Sequence, residues 1–252
     1  MAPDGTAFLL WRWRNANPST VEEVRGAYRV AGGDWQPFNM MNYGSTFLEI
    51  RSLDLAIGPN GHRAAVWVGC NTTGFWTTCA TDGRLGPAGS VQWYPAFHAD
   101  PETIFPLGRQ AGAAHVVVAS SGLTVVVWDR YSNPGNRELV ARAWRPQGDW
   151  DASVSVLDTQ LNPPISDWLA RPVMAPDGTV VVAYNTRLPI MAQNAAHYSV
   201  ARSPTGSWSA PTAISQVYAA GDLQGPRLAV GANGAVIAAW ERAISGTESA
   251  LE

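Results

Sequence analysis

Apolar residues in this chain come in short unbroken runs that close on an aromatic ring. "LTVVVW" (123–128), "TVVVAY" (179–184) and "AVIAAW" (235–240) are the clearest, and the same spacing closes on Trp11 and Trp67. Consecutive apolar positions over so short a length read as a strand covered on both faces, because neighbouring side chains in a strand point to opposite sides. Six residues before each ring stands a glycine: Gly5, Gly61, Gly122, Gly178 and Gly234. The four residues ending at these glycines read "APDG", "GPNG", "ASSG", "APDG" and "GANG", at intervals of 56, 61, 56 and 56 residues. Asp-Gly and Asn-Gly between apolar segments mark tight hairpins, since Gly and Asn accept a positive φ at little cost. From the second turn onward a strand leads into each: "LDLAI", "HVVVA", "RPVMA" and "RLAVG".

A third and a fourth strand follow in each repeat. "GAYRVAGGDWQPF", "VARAWRPQGDWDAS" and "YSVARSPTGSWSAP" align on a Gly-x-Trp unit at Trp35, Trp150 and Trp208. In the second repeat "TTCATDGRLGPAG" takes the same slot, with Leu85 where the Trp is expected. Each repeat therefore predicts a four-stranded antiparallel meander, and stacking such sheets side by side covers both faces of the second strand. The expected fold is all-β, a β-propeller of about five repeats forming a single domain over 1–252. The first repeat lacks its leading strand, and the fifth stops at "GTESALE", where its third strand starts. The chain is thus expected to be a piece of a longer protein with further blades or domains, or a ring closed in an unusual way.

Composition agrees with many short strands and tight turns, with 24 Gly, 18 Pro and 12 Trp in 252 residues. Hydrophobic residues at 46% against 15% charged argue for a packed chain. No apolar run approaches the roughly 20 residues that a spanning helix needs. All basic residues are Arg, the formal net charge is −3, and no basic stripe is visible, so nucleic acid is not an expected partner. His62, His98, His115 and His197 show no ligand-like spacing, and neither a metal nor a cofactor is expected.

The repeats resemble the sialidase-like (BNR, Asp-box) β-propellers. In that family the turn between the third and fourth strands reads Ser-x-Asp-x-Gly-x-Thr-Trp. "SPTGSW" (203–208) keeps the Ser, Gly and Trp but not the Asp, and "RPQGDW" (145–150) keeps only Gly and Trp. The resemblance implies three Arg on a sugar carboxylate, a Tyr nucleophile assisted by Glu, and an Asp acid/base. By residue type the candidates are Arg171, Arg227 and Arg12 or Arg242; Tyr131; Glu241; and Asp54 or Asp129. None lies in a motif that matches the family residue by residue, so no catalytic residue is assigned.

In a propeller the long loops gather at one end, and here they include "RWRNANPSTVEE", "DRYSNPGNRE" and "NTRLPIMAQNAA". Asp54, His115, Arg171 and Arg227 stand seven residues before their turn glycines, at the start of the innermost strands. Small residues follow on the same face, such as Ala56, Gly58, Ala229 and Gly231, as strands converging on an axis require. Arg12, Asp129, Asn185 and Glu241 come directly after the ring of each second strand, with Arg130, Arg187 and Arg242 close by. Tyr131 and Trp168 add aromatic surface. Arg forks suit carboxylates and aromatic faces suit sugars, so this set is expected to bind an anionic or polyhydroxylated ligand.

Cys70 and Cys79 stand nine residues apart across a hairpin end, a geometry a disulfide fits. An oxidised pair points to an extracytoplasmic location, secreted or at the cell surface, although no leader stands in this sequence. The leading expectation is a non-catalytic propeller that binds a glycan or a protein. A sialidase-like glycoside hydrolase and a structural interaction module of a larger protein are the alternatives.

Overall fold

The computed structural model describes the chain except residues 15–20, 41–47, 74–75, 100–111, 134–135, 147, 149, 160–169, 189–190, 220–224, 246–247 and 252. It gives the backbone alone at 72–73, 76–78, 131–133, 136–137, 186–188, 191–195, 219, 243–245 and 248–251. All regular structure in the described residues is β-strand, and every described ladder is antiparallel.

The first sheet runs β1 (Ala7–Arg14), β2 (Glu22–Arg29), β3 (Gln36–Asn39), without a leading strand. The second is a full meander of β4 (Glu49–Ile57), β5 (Arg63–Thr73), β6 (Trp76–Gly86) and β7 (Phe97–His98). The third repeats it with β8 (Ala114–Val118), β9 (Thr124–Asn133), β10 (Asn136–Trp144) and β11 (Ser155–Asp158). In the fourth, β12 (Arg171–Met174), β13 (Val180–Leu188) and β14 (Met191–Arg202) are followed by two short pieces, β15 (Thr212–Ala213) and β16 (Tyr218–Ala219), both paired with β14. The last repeat forms two ladders, β17 (Arg227–Val230) with β18 (Val236–Ala239), and β19 (Glu241–Ser245) with β20 (Glu248–Leu251). The chain groups into two compact units, Met1–Val126 with Arg142–Ser153, and Val127–Ala141 with Val154–Glu252.

The recurring four-residue turn has a local cause. Gly5, Gly61, Gly122, Gly178 and Gly234 all take φ between 81° and 89°, the left-handed region where a Cβ is strained. Each donates its N–H to the carbonyl three residues back, as Gly178 does to Ala175 at 2.9 Å. The residue before the glycine then accepts from the N–H two residues further on. Asp4, Asn60, Ser121, Asp177 and Asn233 do this for Thr6, His62, Leu123, Thr179 and Ala235 at 2.8–3.3 Å. A short acceptor followed by Gly is what the turn selects, which is why the chain spells it repeatedly.

The sheets stack through a repeated junction. Residues four and six after the turn glycine share one strand face, here the ring face; residues three and five share the back face. In the first unit Leu10, Val24 and Phe38 of the first sheet's back face pack with Ala65 and Trp67 on the ring face of the second. In the second unit Trp240 lies 4.9 Å from the ring of His197, which pairs opposite Asn185 on the back face of the fourth sheet. The middle repeats are covered on both sides: Trp67, Trp128 and Tyr184 are each at most 2% exposed. The hydroxyl of Tyr184 donates to Asp158 at 2.8 Å, and burial followed by the Asp158 charge pushes its pKa well up.

The second repeat corrects one sequence assignment. Leu85 does not take the place of the conserved-spacing Trp; it lies buried inside β6, and the turn follows at Gly89, with φ 66°. The ring beyond that turn is Trp93, packed edge-on against Phe8 with centroids 6.0 Å apart. The buried Arg63 fixes this segment, donating to the carbonyls of Pro87 (2.8 Å) and Gln92 while its guanidinium lies 4.7 Å from the Trp93 ring. Burial pulls the Arg63 pKa down to about 10. The extra residues of the turn hid this ring from a fixed-offset alignment.

Cys70 and Cys79 pair directly across β5 and β6 and are joined by a disulfide, both sulfurs lying in buried residues.

Candidate functional site

In the first unit the inner strands β4 and β8 bring Asp54 and His115 together, with Asp54 Oδ2 3.2 Å from His115 Nδ1. Asp54 also accepts from the N–H of Val116 at 3.1 Å and of Leu55 at 2.9 Å, and Ser52 Oγ accepts from Ala114 N–H at 2.9 Å. The strands approach closely here: a Cβ on Gly58 would sit 2.7 Å from the Ala119 carbonyl oxygen. Burial alone raises the Asp54 pKa, but the His115 hydrogen bond and charge, with the two N–H donors, hold it below the usual carboxylate value. Such a group stabilises the fold above its unfolded pKa, near 3.9, and that contribution is lost as pH falls through the lower folded value. Asp54→Asn is therefore expected to be less stable than the parent at pH 6, with the gap closing by pH 2. Urea midpoints at the two pH values check this, and a gap that widens in acid contradicts it.

Arg12 donates to the Ile50 carbonyl at 2.7 Å, while Glu22 accepts from the Ile50 N–H at 2.6 Å. Asp129 and Asn185 are buried at the ends of the apolar runs. Arg130 is buried too and meets Glu138 at 3.0 Å. In the second unit Arg171 and Arg227 open the neighbouring strands β12 and β17, the first half-buried and the second exposed. Glu241 is exposed, and the Arg242 guanidinium lies 5.0 Å from the Tyr218 ring. Trp168 and the side chains of Tyr131 and Arg187 lie outside the described residues.

A different site emerges in the first unit, at the outer strands. Leu85, Tyr94, Pro95, Phe97, Trp144, Pro146, Gly148 and Trp150 line an open cleft of about 340 Å³. That volume suits a one- or two-ring small molecule. Gly148, with φ 110°, reverses the chain after β10 so that Trp150 folds back to bridge Trp144. Trp150 then packs on Phe97 of β7, with centroids 4.6 Å apart. Arg142 stiffens the wall: its guanidinium lies 5.3 Å from the Trp150 ring, and it donates to the carbonyls of Asp151 (3.0 Å) and Ala99 (3.3 Å). Arg145 and Asp151 form an ion pair at 2.6 Å on residues flanking the lining. On the other face of β7, His98 Nδ1 lies 2.5 Å from Asp82 Oδ1, and burial holds the Asp82 pKa above its usual value despite that neighbour.

The Gly-x-Trp alignment picks out Trp150 but not the surface it shares with Tyr94, Phe97 and Trp144. The signal was the "WYPAFH" run (93–98), in which Trp93, Tyr94, Pro95 and Phe97 are aromatic or proline. The cleft also lies beside a short turn: a Cβ on Gly122 would sit 2.7 Å from Pro146 Cγ. The expectation had placed a site among the long loops, which fall largely outside the described residues.

No family model and no curated protein matches the sequence. Solved structures do match. A Hadza microbial sialidase aligns over 92% of this chain and 51% of its own, at 14% identity and a TM-score of 0.56. The fold is a sialidase-like β-propeller. The Trypanosoma rangeli sialidase bound to the inhibitor DANA covers 94% of the propeller and 42% of its own chain, at 10% identity and a TM-score of 0.54. The Penicillium chrysogenum α-L-arabinanase complexed with arabinobiose covers 81% and 62%, at 13% identity and a TM-score of 0.56. The propeller thus spans about half the length of the sialidases it resembles. No helix among its described residues is long and apolar enough to cross a membrane.

Proposed function

We propose that this propeller is a non-catalytic, extracytoplasmic carbohydrate-binding module whose ligand lies in the aromatic cleft of the first unit. The observation that carries the reading is the grouping of Tyr94, Trp144 and Trp150 around about 340 Å³ of open space. Flat ring faces accept the C–H face of a sugar, and the Tyr hydroxyl and indole N–H groups supply donors for its oxygens. Structural relatives bound to arabinobiose and to DANA support a saccharide as the ligand class. The Cys70–Cys79 bridge supports an oxidising compartment.

Catalysis is left out of the proposal on chemical grounds. Glycoside hydrolysis by the usual route needs two carboxyl groups roughly 5–10 Å apart across the scissile bond, and a route through a Tyr nucleophile still needs a carboxyl acid/base beside it. No carboxylate lines the cleft among the described residues. Asp54 is committed to His115 and two backbone donors.

A glycan array followed by calorimetric titration tests the reading. The parent protein is expected to retain a defined saccharide, and Trp150→Ala to weaken it by about tenfold, as loss of one aromatic partner implies. A blank array overturns the saccharide assignment. Turnover of a fluorogenic sialoside or arabinoside overturns the non-catalytic one.

A further inference from the structure

Resting on the saccharide reading above, we infer that the ligand carries an aryl group, whose ring occupies the inner end of the cleft while the sugar sits at the mouth. All the residues compared below lie in the first unit. The same space is filled one repeat earlier. On the back face of the first sheet, Phe8, Tyr28 and Phe38 meet Trp93 of the second repeat in a closed set of four rings, with neighbouring centroids 6.0–6.2 Å apart. Tyr28 stands opposite Phe8, and Phe38 opposite Gly26. The Arg63 guanidinium completes the set, 4.5 Å from the Phe8 ring and 4.7 Å from that of Trp93.

One repeat later, two of these positions carry smaller side chains. Ala64, like Phe8, stands three residues after its turn glycine, and Leu85 lies opposite Ala64 as Tyr28 lies opposite Phe8. Phe97 stands opposite Gly83 as Phe38 does opposite Gly26, and Trp150 packs on Phe97 as Trp93 does on Phe38. Two rings are thus kept, and two give way to Ala64 and Leu85. Arg63, two residues after its turn glycine, corresponds to Thr124 in the third repeat, whose hydroxyl donates to the Gly122 carbonyl at 3.2 Å. The cleft opens where these larger side chains are replaced, and Leu85 is part of its lining.

Depth sorts that lining. Leu85 is 5% exposed, Phe97, Trp144 and Trp150 are half-buried, and Tyr94, Pro95 and Pro146 are exposed at the mouth. The side chains of Leu85 and Phe97 offer no hydrogen bond to a sugar hydroxyl, and a hydroxyl buried without a partner opposes binding. An aryl ring needs no such partner. It gains from offset or edge-on packing against Phe97 and Trp150, as the Phe8 and Tyr28 rings do in the filled junction. No charged side chain lines the cleft among the described residues, which suits an uncharged ring. Tyr94 brings the lining's one hydroxyl to the exposed end, where sugar oxygens can use it.

Calorimetric titration of the full chain with paired phenyl and methyl glycosides of glucose, galactose, xylose and arabinose, and with phenol alone, tests this. At least one phenyl glycoside is expected to bind about tenfold tighter than its methyl partner. On binding, its phenyl protons are expected to shift upfield under the ring currents of Phe97 and Trp150, and its sugar protons to move less. Leu85→Tyr restores the ring that Tyr28 supplies one repeat earlier, so the phenyl-over-methyl ratio is expected to fall to about one. Circular dichroism checks that this variant folds, and the upfield shift in the parent protein needs no variant. Equal affinity within every pair overturns the aryl subsite and leaves the saccharide reading standing. Phenol that binds as tightly as every phenyl glycoside overturns the sugar half of the ligand, and the saccharide reading with it. Binding by none of the probes overturns both.

Discussion

Trp128→Ala is expected to cost about 3–5 kcal/mol of folding stability, whereas Trp11→Ala costs less than about 1 kcal/mol. The two rings hold the same position in their repeats, six residues after the turn glycine. Trp128 is 1% exposed, so its removal deletes contacts on every side and leaves a void that neighbouring strands fill only in part. Trp11 loses contact on one side only. Urea unfolding of both variants, read as midpoints at a common slope, checks the contrast. Equal losses would mean that the Trp11 face is covered.

Gly83→Ala is expected to destabilise the second sheet by about 2–3 kcal/mol and to disable the cleft together with it. A Cβ at this position would lie 2.5 Å from the Ala65 carbonyl oxygen and 2.5 Å from the Phe97 ring. The carbonyl belongs to the central ladder and has no freedom to yield, so Phe97 must move. Phe97 carries the Trp150 ring at 4.6 Å, and a displaced Phe97 removes one wall of the cleft. For a chain of this size the loss corresponds to a melting midpoint lowered by about 5–10 °C. Saccharide binding is expected to fall in the same variant. A variant that melts lower yet binds unchanged places the ligand elsewhere than beside Phe97.

The repeat was legible because its turn imposes a chemical demand at two adjacent positions. Gly178 must take φ 89°, and Asp177 must accept from Thr179, so both residue types recur wherever the turn recurs. The strand order followed from the runs that close on Trp67, Trp128 and Tyr184. Trp93 was not legible, since its turn lies at Gly89 and carries residues that shift the ring out of register with Trp35 and Trp208. The Asp54–His115 contact was legible in part: equal offsets from the turn put both on inner strands, and adjacent strands then bring them together, although Asp54 lies well inside β4 and only His115 stands near the start of its strand. The aromatic cleft escaped because its lining comes from two separate stretches, 85–97 and 144–150, and no periodic rule relates a segment after β6 to the turn after β10.

The sulfur bridge between Cys70 and Cys79 ties residues that face each other in β5 and β6. Sliding either strand by one residue turns its whole side-chain set to the wrong face, and a covalent tie forbids that slide. The tip beyond the tie is thereby relieved of any duty to hold the strands aligned. New sequence inserted beyond the tie is therefore expected to leave the β5–β6 register unchanged.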